Sequence, residues 1–357
     1  MAAYFPPMVC LSVKRLFSVR LNERMFMSSL KSLPFSDLDS RGWILIPSFL
    51  DGGEIETLEK DFAAAPLEVN SNYSVRRISP AGLSGLEPRF EEVLGEVREH
   101  SSVRVDLLND GVYFATFAEK ATLANPRGGA QQFPWHQDHE NYWLWHDTKN
   151  YLNFYIPVVK PVLEKSNLTV VPFDRFAARA PQLHAKLLGR GATRVVSSGK
   201  KWVIKDDDRG GKVGTLDFDL AEIEETPLLH PGDLLLMRGD LIHRTQDSST
   251  RRIAASIRYI NSQTPVPRWS LSRGGLAKSL MMLNARYLFE PAFECFEKAG
   301  AETLPAGQID HYLRELRDLR LAGKAAANSS KLGFLARLAR EKLRRSRGIS
   351  PSTSATL

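Results

Sequence analysis

The sequence predicts a mainly β protein with flanking helices, in which short strands form a sandwich or barrel. Between residues 103 and 261, short runs rich in β-branched and aromatic residues recur, and turns containing glycine or proline separate them. The pattern lacks the regular alternation of strands and helices that indicates a doubly wound sheet. The predicted strands cover residues 112–118, 151–158, 168–172, 202–205, 234–237 and 253–260.

Helical segments flank and interrupt this strand-rich region. A strand at 42–47 opens the predicted folded part, and Asp51 then caps a helix at 53–64, where apolar residues recur at helical spacing. The other predicted helices cover residues 177–188, 280–299 and 309–322. The helices are therefore expected mainly before and after the strands.

Composition excludes several classes of protein. Of the 357 residues, 43% are apolar and 25% are charged, which is typical of a globular protein with a packed core. No apolar run approaches the ~18 residues that a membrane-spanning helix needs, so we expect no transmembrane segment. Only two cysteines are present, Cys10 and Cys295, which cannot build a disulfide framework or a thiolate zinc cluster. A reducing compartment follows, and we expect a cytoplasmic protein.

The positive charge lies at the two ends of the chain. Residues 331–347 carry seven basic residues against one acidic residue, and residues 1–31 carry five against one. The formal net charge of the whole chain is +7, so the part between the ends is slightly negative and nucleic-acid binding is not expected. Residues 1–31 are either unstructured or an organellar presequence, which is the alternative localisation. Residues 331–347 form either a solvated basic helix or one that contacts anionic membranes weakly.

His136 and Asp138 are the first candidate metal ligands. In an extended segment, side chains two residues apart point to the same face, so the His136 imidazole and the Asp138 carboxylate can reach one ion. His243, which ends a strand about 100 residues later, is the candidate third ligand. Two imidazoles and one carboxylate leave coordination positions open, as in non-haem Fe(II) oxygenases. The alternative is that these are ordinary half-buried histidines beside a solvated acid.

The next strand offers a candidate cosubstrate ligand. Arg252 and Ser256 lie on a face of small and polar residues that suits a cavity, whereas Arg251 starts the opposite, mostly apolar face. A guanidinium group binds a carboxylate bidentately, so Arg252 is the candidate clamp. Arg251 remains the alternative, because a one-residue bulge would exchange the two faces.

Two more residues are candidates for contact with the same cosubstrate. Asn153 alternates with apolar neighbours in the strand at 151–158, so its amide is expected to face the cavity. A structural role in a ladder of tyrosine and asparagine side chains is the alternative. Lys120 follows the strand at 112–118 and leads toward the metal segment, although most lysines are solvated.

Five segments in the same order resemble the phytanoyl-CoA dioxygenase family of Fe(II)- and 2-oxoglutarate-dependent oxygenases. They are RGWILIPSFLDGGEIETLEKDF, FPWHQDHENYW, SNLTVVP, HPGDLLLMRGDLIHRT and the arginine strand. The resemblance implies a double-stranded β-helix core, a jelly roll of the cupin kind. It also implies iron ligation by His136, Asp138 and His243, and 2-oxoglutarate binding by Arg252. Two departures concern the residues after the SNLTVVP hairpin and a short loop before the arginine strand.

The implied activity is hydroxylation or another oxidation of a small organic metabolite by O2, with release of succinate and CO2. Ascorbate is a candidate stimulant of the reaction. The alternative function is a non-catalytic cupin-like protein that uses the same cavity for binding alone. The predicted organisation comprises an N-terminal extension at 1–40, the dioxygenase domain at 41–262, a helical segment packed on the core at 263–330, and a basic helix with a disordered tail at 331–357.

Overall fold

Two antiparallel β-sheets face each other at the centre of the protein. The computed structural model describes residues 30–69, 74–108, 113–117, 133–147, 149–199, 201–247, 249–284, 286–321 and 330–346. The strands are β1 Trp43–Ile46, β2 Leu67–Val69, β3 Ser74–Arg77, β4 Leu107–Leu108, β5 Tyr113–Phe117, β6 Tyr151–Val159, β7 Leu168–Val170, β8 Thr193–Ser198, β9 Lys201–Asp206, β10 Lys212–Leu216, β11 Leu234–Arg238, β12 His243–Thr245, β13 Arg252–Ile260, β14 Pro265–Pro267 and β15 Thr303–Pro305.

Helices surround the sheets. They are α1 Asp37–Ser40, α2 Gly52–Ala64, α3 Pro80–Ser84, α4 Glu87–His100, α5 Glu140–Trp145, α6 Phe173–Arg179, α7 Pro181–Leu187, α8 Arg268–Ser272, α9 Leu276–Asn284, α10 Arg286–Ala299, α11 Ala306–Leu321 and α12 Lys331–Ser346. A 3₁₀ turn forms at Leu220–Glu222. None of the helices in the described ranges is long and apolar enough to cross a membrane.

The large sheet has eight strands in the order β1-β11-β6-β13-β5-β3-β2, with β4 also paired to β13. The small layer contains β10-β9-β8 and β12-β7, and His136 joins them by bridging Arg194 in β8 and His243 in β12. From β6 onward the chain alternates between the two layers. It runs through β6 in the large sheet, β7 to β10 in the small layer, β11 in the large sheet, β12 in the small layer and β13 in the large sheet. This alternation is a jelly roll, which confirms the predicted fold class.

The two faces of the large sheet have different partners. Residues of one parity, such as Phe154 on β6 and Ile257 on β13, pack against α2 and α4 in the largest hydrophobic cluster. Residues of the other parity, such as Tyr155 and Ala254, face the small layer and pack with Leu168 and Val170 of β7. The strand alternation of the sequence therefore separates a helix-covered face from a cavity face.

Most of the predicted elements are present, with differences at their ends. Asp51 caps α2 through a capping box with Glu54, so this helix begins one residue earlier than predicted. The predicted helix at 177–188 is wrong in extent: two helices occupy 173–187, because Pro181 lacks an N–H and starts a second helix. The predicted helix at 280–299 is likewise two helices, α9 and α10.

Two parts of the packed structure were not predicted from the sequence. The interpretation assigned no helix to 80–100, yet α3 and α4 lie there, and α4 buries apolar residues at helical spacing against the large sheet. Leu30, Phe35 and Leu38 are buried in the same cluster, so packed residues extend N-terminally of Arg41. In the C-terminal part, Phe289 and Phe293 of α10 pack in a second cluster with Trp143 and Trp145.

Candidate metal centre

His136 and His243 are direct neighbours in the small layer. The backbone N–H of His136 donates to the His243 carbonyl at 3.0 Å, and the His243 N–H donates to the His136 carbonyl at 3.0 Å. Antiparallel partners that exchange both hydrogen bonds carry their side chains on the same face of the sheet. The two imidazole rings accordingly lie 4.4 Å apart between centroids. Two residues that are distant in sequence thus form one side-chain pair.

Asp138 completes a group of three possible metal ligands. Its Oδ1 lies 3.9 Å from His136 Nε2 and 3.7 Å from His243 Nε2. One ligand atom from each of the three residues lies within 4.8 Å of the others. Because metal–ligand bonds of this kind are about 2.1 Å long, two ligand atoms of one ion are at most about 4.2 Å apart. Both distances to the carboxylate satisfy this limit, so Asp138 Oδ1 can share one ion with either histidine nitrogen.

The hydrogen bonds of the two rings leave the metal-binding nitrogens available. Nδ1 of His136 donates to the Pro134 carbonyl at 2.7 Å, and Nδ1 of His243 donates to the Leu241 carbonyl at 3.0 Å. Since a carbonyl only accepts, each Nδ1 carries a proton, and in the neutral form of each ring Nε2 has the lone pair. Burial, together with the nearby His243, lowers the pKa of His136 to about 3. That ring is therefore neutral at physiological pH, as a metal ligand must be.

The second oxygen of Asp138 has partners of its own. Tyr151 Oη donates to Asp138 Oδ2 at 3.3 Å, and Arg258 Nη2 lies 4.0 Å from the same atom. Burial raises the pKa of Asp138, but the neighbouring groups outweigh it and hold the pKa below its usual value, and the positive charge of Arg258 is the strongest of these influences. Asp138 is thus ionised, with Oδ1 facing the histidines.

The sequence interpretation named neither Arg258 nor Tyr151 as a site residue. Arg258 had a usable signal, because it shares the cavity-facing parity of Arg252 in β13. Tyr151 shares the parity of Asn153 in β6, so alternation indicated its face, but its contact with Asp138 depends on how β6 packs. A side chain at Gly239 would lie 2.1 Å from the Tyr151 ring, so glycine permits that ring position.

Gln137 anchors the metal segment from the opposite face. Its side chain is fully buried, and its Nε2 donates to the carbonyls of Asp240 at 2.6 Å and Leu187 at 3.2 Å. Its Oε1 accepts from Thr193 Oγ1 at 2.7 Å. These bonds fix the strand between β8 and β12 and thereby hold the side chains on either side of Gln137 toward the cavity.

Arg252 lies on the cavity face of β13, whereas Arg251 is exposed at its start. Arg252 is fully buried and donates through Nη1 to the Ser166 carbonyl. Its guanidinium carbon lies 5.3 Å from the centre of the Tyr155 ring. Among the described residues, the buried Tyr155 Oη has no hydrogen-bond partner. Burial raises the pKa of Tyr155 to about 12, so the hydroxyl keeps its proton and can donate it to an anion.

Ser256 lies between Arg252 and Arg258 on the same face of β13, and Asn153 of β6 lies opposite Arg258. Both are buried, and Ser256 Oγ donates to Asn153 Oδ1 at 3.1 Å. The Asn153 amide therefore lies on the same face as Ser256. Lys120 lies outside the described residues.

A chain of polar residues that the sequence interpretation did not name lies beside the ligands. His139 Nε2 lies 3.1 Å from Asp207 Oδ2, and Arg194 Nε donates to Asp207 Oδ1 at 3.0 Å. The His139 ring lies 6.2 Å from the His136 ring. These residues form a polar rim next to the candidate metal centre. One other group with metal-ligand atoms close together exists among the described residues, but two of its three members, Glu99 and His100, are exposed on α4.

Comparison with known proteins gives no family. No family model matches the chain, and no curated protein matches it, so the resemblance to the phytanoyl-CoA dioxygenase family stays a prediction.

Solved structures show weak overall similarity. The non-haem α-ketoglutarate-dependent epimerase SnoN from nogalamycin biosynthesis is 15% identical, with a TM-score of 0.42 over 66% of this chain and 84% of that chain. EctD from S. alaskensis with 2-oxoglutarate and 5-hydroxyectoine is 15% identical, with a TM-score of 0.42 over 65% and 76%. HygX from Streptomyces hygroscopicus with nickel and 2-oxoglutarate is 16% identical, with a TM-score of 0.39 over 63% and 85%. At these TM-scores the similarities carry no weight for function, which has to be inferred from this chain's own side chains.

Proposed function

We propose that this protein is an Fe(II)- and 2-oxoglutarate-dependent oxygenase that oxidises a small organic molecule. The observation that carries the proposal is the convergence of two imidazoles and one carboxylate, with both Nε2 atoms available, in a jelly roll whose cavity face also holds a buried arginine. Two histidines and one carboxylate on one side of an ion are the ligand set of non-haem Fe(II) oxygenases.

In this proposal His136 and His243 hold the metal through Nε2, and Asp138 holds it through Oδ1. Imidazole and carboxylate donors suit Fe(II), and no thiolate lies among them. Tyr151 and Arg258 bind Asp138 Oδ2 and so orient the carboxylate, as outer partners of metal ligands do. When bound together, Fe(II) and 2-oxoglutarate supply the oxidising chemistry with O2, and succinate and CO2 are released.

Arg252 is the proposed ligand of the distal 2-oxoglutarate carboxylate. Its guanidinium group is buried on the cavity face, and the Tyr155 hydroxyl beside it is a second donor for the same carboxylate. Arg251 is exposed, which makes it the weaker candidate. Ser256 and Asn153 lie farther along the same face toward Arg258, where they are proposed to contact the cosubstrate. Lys120 remains a prediction from the sequence.

Buried apolar residues between the two sheets support this role. Leu235, Met237 and Ala254 of the large sheet pack in one cluster with Leu168 and Val170 of the small layer. Such apolar surroundings strengthen the charged interactions of Asp138 and Arg252 and limit side reactions with water.

The test combines binding with turnover. Anaerobic addition of Fe(II) and 2-oxoglutarate should give an absorption band that requires both, and substrate screening with ascorbate should give succinate release. His243→Ala should lose both signals, whereas His230→Ala, which changes an exposed histidine away from the site, should keep both. No band that depends on iron would contradict the proposal and favour a cupin-like binding protein.

A further inference from the structure

Helix α12 has two apolar faces, of which only one is buried. Phe334 and Leu338 pack into the cluster formed by the C-terminal helices. A second stripe, at positions i, i+3, i+4, i+7 and i+11, points to solvent. It contains Leu332, Leu335, Ala336, Ala339 and Leu343, all of them exposed. A helix that only closes the core has no need of this second stripe.

Helix α9 extends the exposed apolar surface. Lys342 of α12 donates to the Gly274 carbonyl at 3.1 Å and to Ser279 Oγ at 2.8 Å, so the first turns of α9 lie beside α12. Leu276 and Leu280 of α9 are exposed at an i, i+4 spacing. Among the described residues, the five leucines of α9 and α12 account for most of the exposed large apolar side chains. Their exposed fractions are 75% for Leu276, 50% for Leu280, 79% for Leu332, 37% for Leu335 and 57% for Leu343. We call these five residues the leucine face.

Basic residues border the exposed stripe of α12 on both sides. On the helical wheel of α12, Lys331 and Lys342 lie at one edge of this stripe and Arg340 and Arg344 lie at the other, and all four are exposed. Lys342 lies between this stripe and α9, and Arg344 pairs with Glu302 at 2.8 Å. The only acidic residue of α12 is Glu341, which is buried on the opposite side of the helix. The surface is thus apolar at its centre and cationic at its edges.

Ion pairs hold α12 in this orientation. Glu341 accepts from Arg268 Nη2 at 2.6 Å and from Arg268 Nε at 3.0 Å, a bidentate pair that is buried. Arg337 pairs with Glu297 of α10 at 2.6 Å. Because both pairs lie on the packed side of the helix, the leucine face cannot turn inward without breaking them.

We propose that the leucine face docks this protein on an anionic membrane surface. The leucines enter the boundary between headgroups and acyl chains, and the lysines and arginines at the edges bind the lipid phosphates. An anionic bilayer has an apolar interior beneath a negatively charged surface. The apolar stripe complements the interior, and its cationic borders complement the surface charge. The protein then lies on the membrane and does not span it.

The test is co-sedimentation of the full chain with vesicles of phosphatidylcholine alone or with added phosphatidylserine. We expect binding that requires phosphatidylserine and falls as salt rises. The triple variant Leu332→Gln, Leu335→Gln and Leu343→Gln should bind at least about tenfold more weakly. The matched control Leu188→Gln with Leu228→Gln, which changes exposed leucines elsewhere, should bind like the wild type.

Three results would overturn the proposal. They are equal binding of the triple variant and the wild type, equal binding to vesicles with and without phosphatidylserine, and a dimer in light scattering that the triple variant abolishes while no vesicles bind. The basic N-terminal segment is present in every variant, so a difference between them reports on α12. Thermal unfolding checks that the triple variant is folded, and the iron-dependent 2-oxoglutarate band is a separate readout, so failure of one proposal leaves the other testable.

Discussion

Two buried polar clusters lie at the two ends of helix α5 in the sequence, and they differ in their balance of charge. Before α5, Asp138 faces two imidazole nitrogens that carry lone pairs. After α5, His146 lies 3.7 Å from Asp208, whose fully buried carboxylate forms ion pairs with both Lys278 and Arg273. The second cluster contains two cations for one carboxylate, whereas the first presents three electron-pair donors to one point.

This difference separates a binding site from a structural cluster. Perturbed pKa values occur in both, since burial lowers the pKa of His136 to about 3 and that of His146 to about 4, so the shifts alone do not distinguish them. The Asp208 cluster supplies its own cations and joins the turn after β9 to the C-terminal helices α8 and α9. In the candidate metal centre, Arg258 lies beside Oδ2 of Asp138, so a cation from outside the chain can still occupy the point between Oδ1 and the two imidazoles.

The largest expected effect comes from the metal ligands. Replacing Asp138 or His243 by alanine removes one of three donors, so Fe(II) binding should weaken at least about a hundredfold and succinate formation should be lost. Anaerobic metal titration and succinate release measure the two effects. Unchanged turnover in either variant would show that this cluster does not bind a catalytic metal and so does not differ in function from the Asp208 cluster.

The Asp208 cluster should instead affect folding. Asp208→Asn leaves Lys278 and Arg273 buried without their carboxylate, and we expect the free energy of unfolding to fall by about 3–5 kcal/mol while metal binding is retained. Urea denaturation of the metal-free protein measures the loss. The neighbouring Asp207→Asn, whose partner Arg194 is about half exposed, should lower it by less than about 1 kcal/mol. If Asp208→Asn weakened metal binding without changing stability, the structural assignment would be wrong.

A pH titration tests the same cluster. The pKa of His146 is lowered to about 4 from an ordinary 6.5, first by burial and then by Lys278, although Asp208 opposes the shift. Between these values the unfolded chain binds more protons than the folded one, so stability is lost as pH falls from 6.5 toward 4. We expect a loss of roughly 3 kcal/mol from this group. His146 has a positive φ of 57°, which asparagine tolerates, so His146→Asn is the matched variant. An equally steep decline in His146→Asn, measured by urea denaturation at each pH, would assign the effect to other groups.

Arg252, the proposed ligand of the cosubstrate, provides a fourth test, on the face of β13 that also carries Arg258. Arg252→Ala should weaken 2-oxoglutarate binding by about 10- to 100-fold, because it removes charged hydrogen bonds to a carboxylate. Arg252→Lys keeps the charge and guards against a folding defect, and it should have an intermediate effect. Arg251→Ala is the control and should bind 2-oxoglutarate normally. If Arg252→Ala bound 2-oxoglutarate with unchanged affinity, Arg251 would become the candidate ligand of the distal carboxylate.

The smallest expected effect comes from the partner of the metal carboxylate. Tyr151→Phe removes the hydroxyl that donates to Asp138 Oδ2 and should weaken metal binding by about tenfold. Tyr259→Phe is the control, because Tyr259 lies on the helix-covered face of β13. Calorimetric titration with Fe(II) under nitrogen measures both. Equal affinities in the two variants would show that Tyr151 does not position the carboxylate.

Local sequence was enough to predict the direction of side chains along each strand. The two-residue repeat of an extended chain places His136 with Asp138, and Arg252 with Ser256, on common faces, and the structure has both. It also determined the start of α2, because Asp51 and Glu54 form a local capping box. These features depend on residues that are only a few positions apart along the chain, so they can be predicted from a short stretch of sequence.

Which distant residues meet could not be predicted from local sequence. The pairing of His136 with His243 depends on the register of the small layer, and the contact of Tyr151 with Asp138 depends on how β6 approaches the metal segment. The Asp208 cluster likewise joins elements that are separated in sequence. Register and packing result from burial summed over the whole core, so no short segment encodes them, whereas the direction of a side chain is a property of the local backbone.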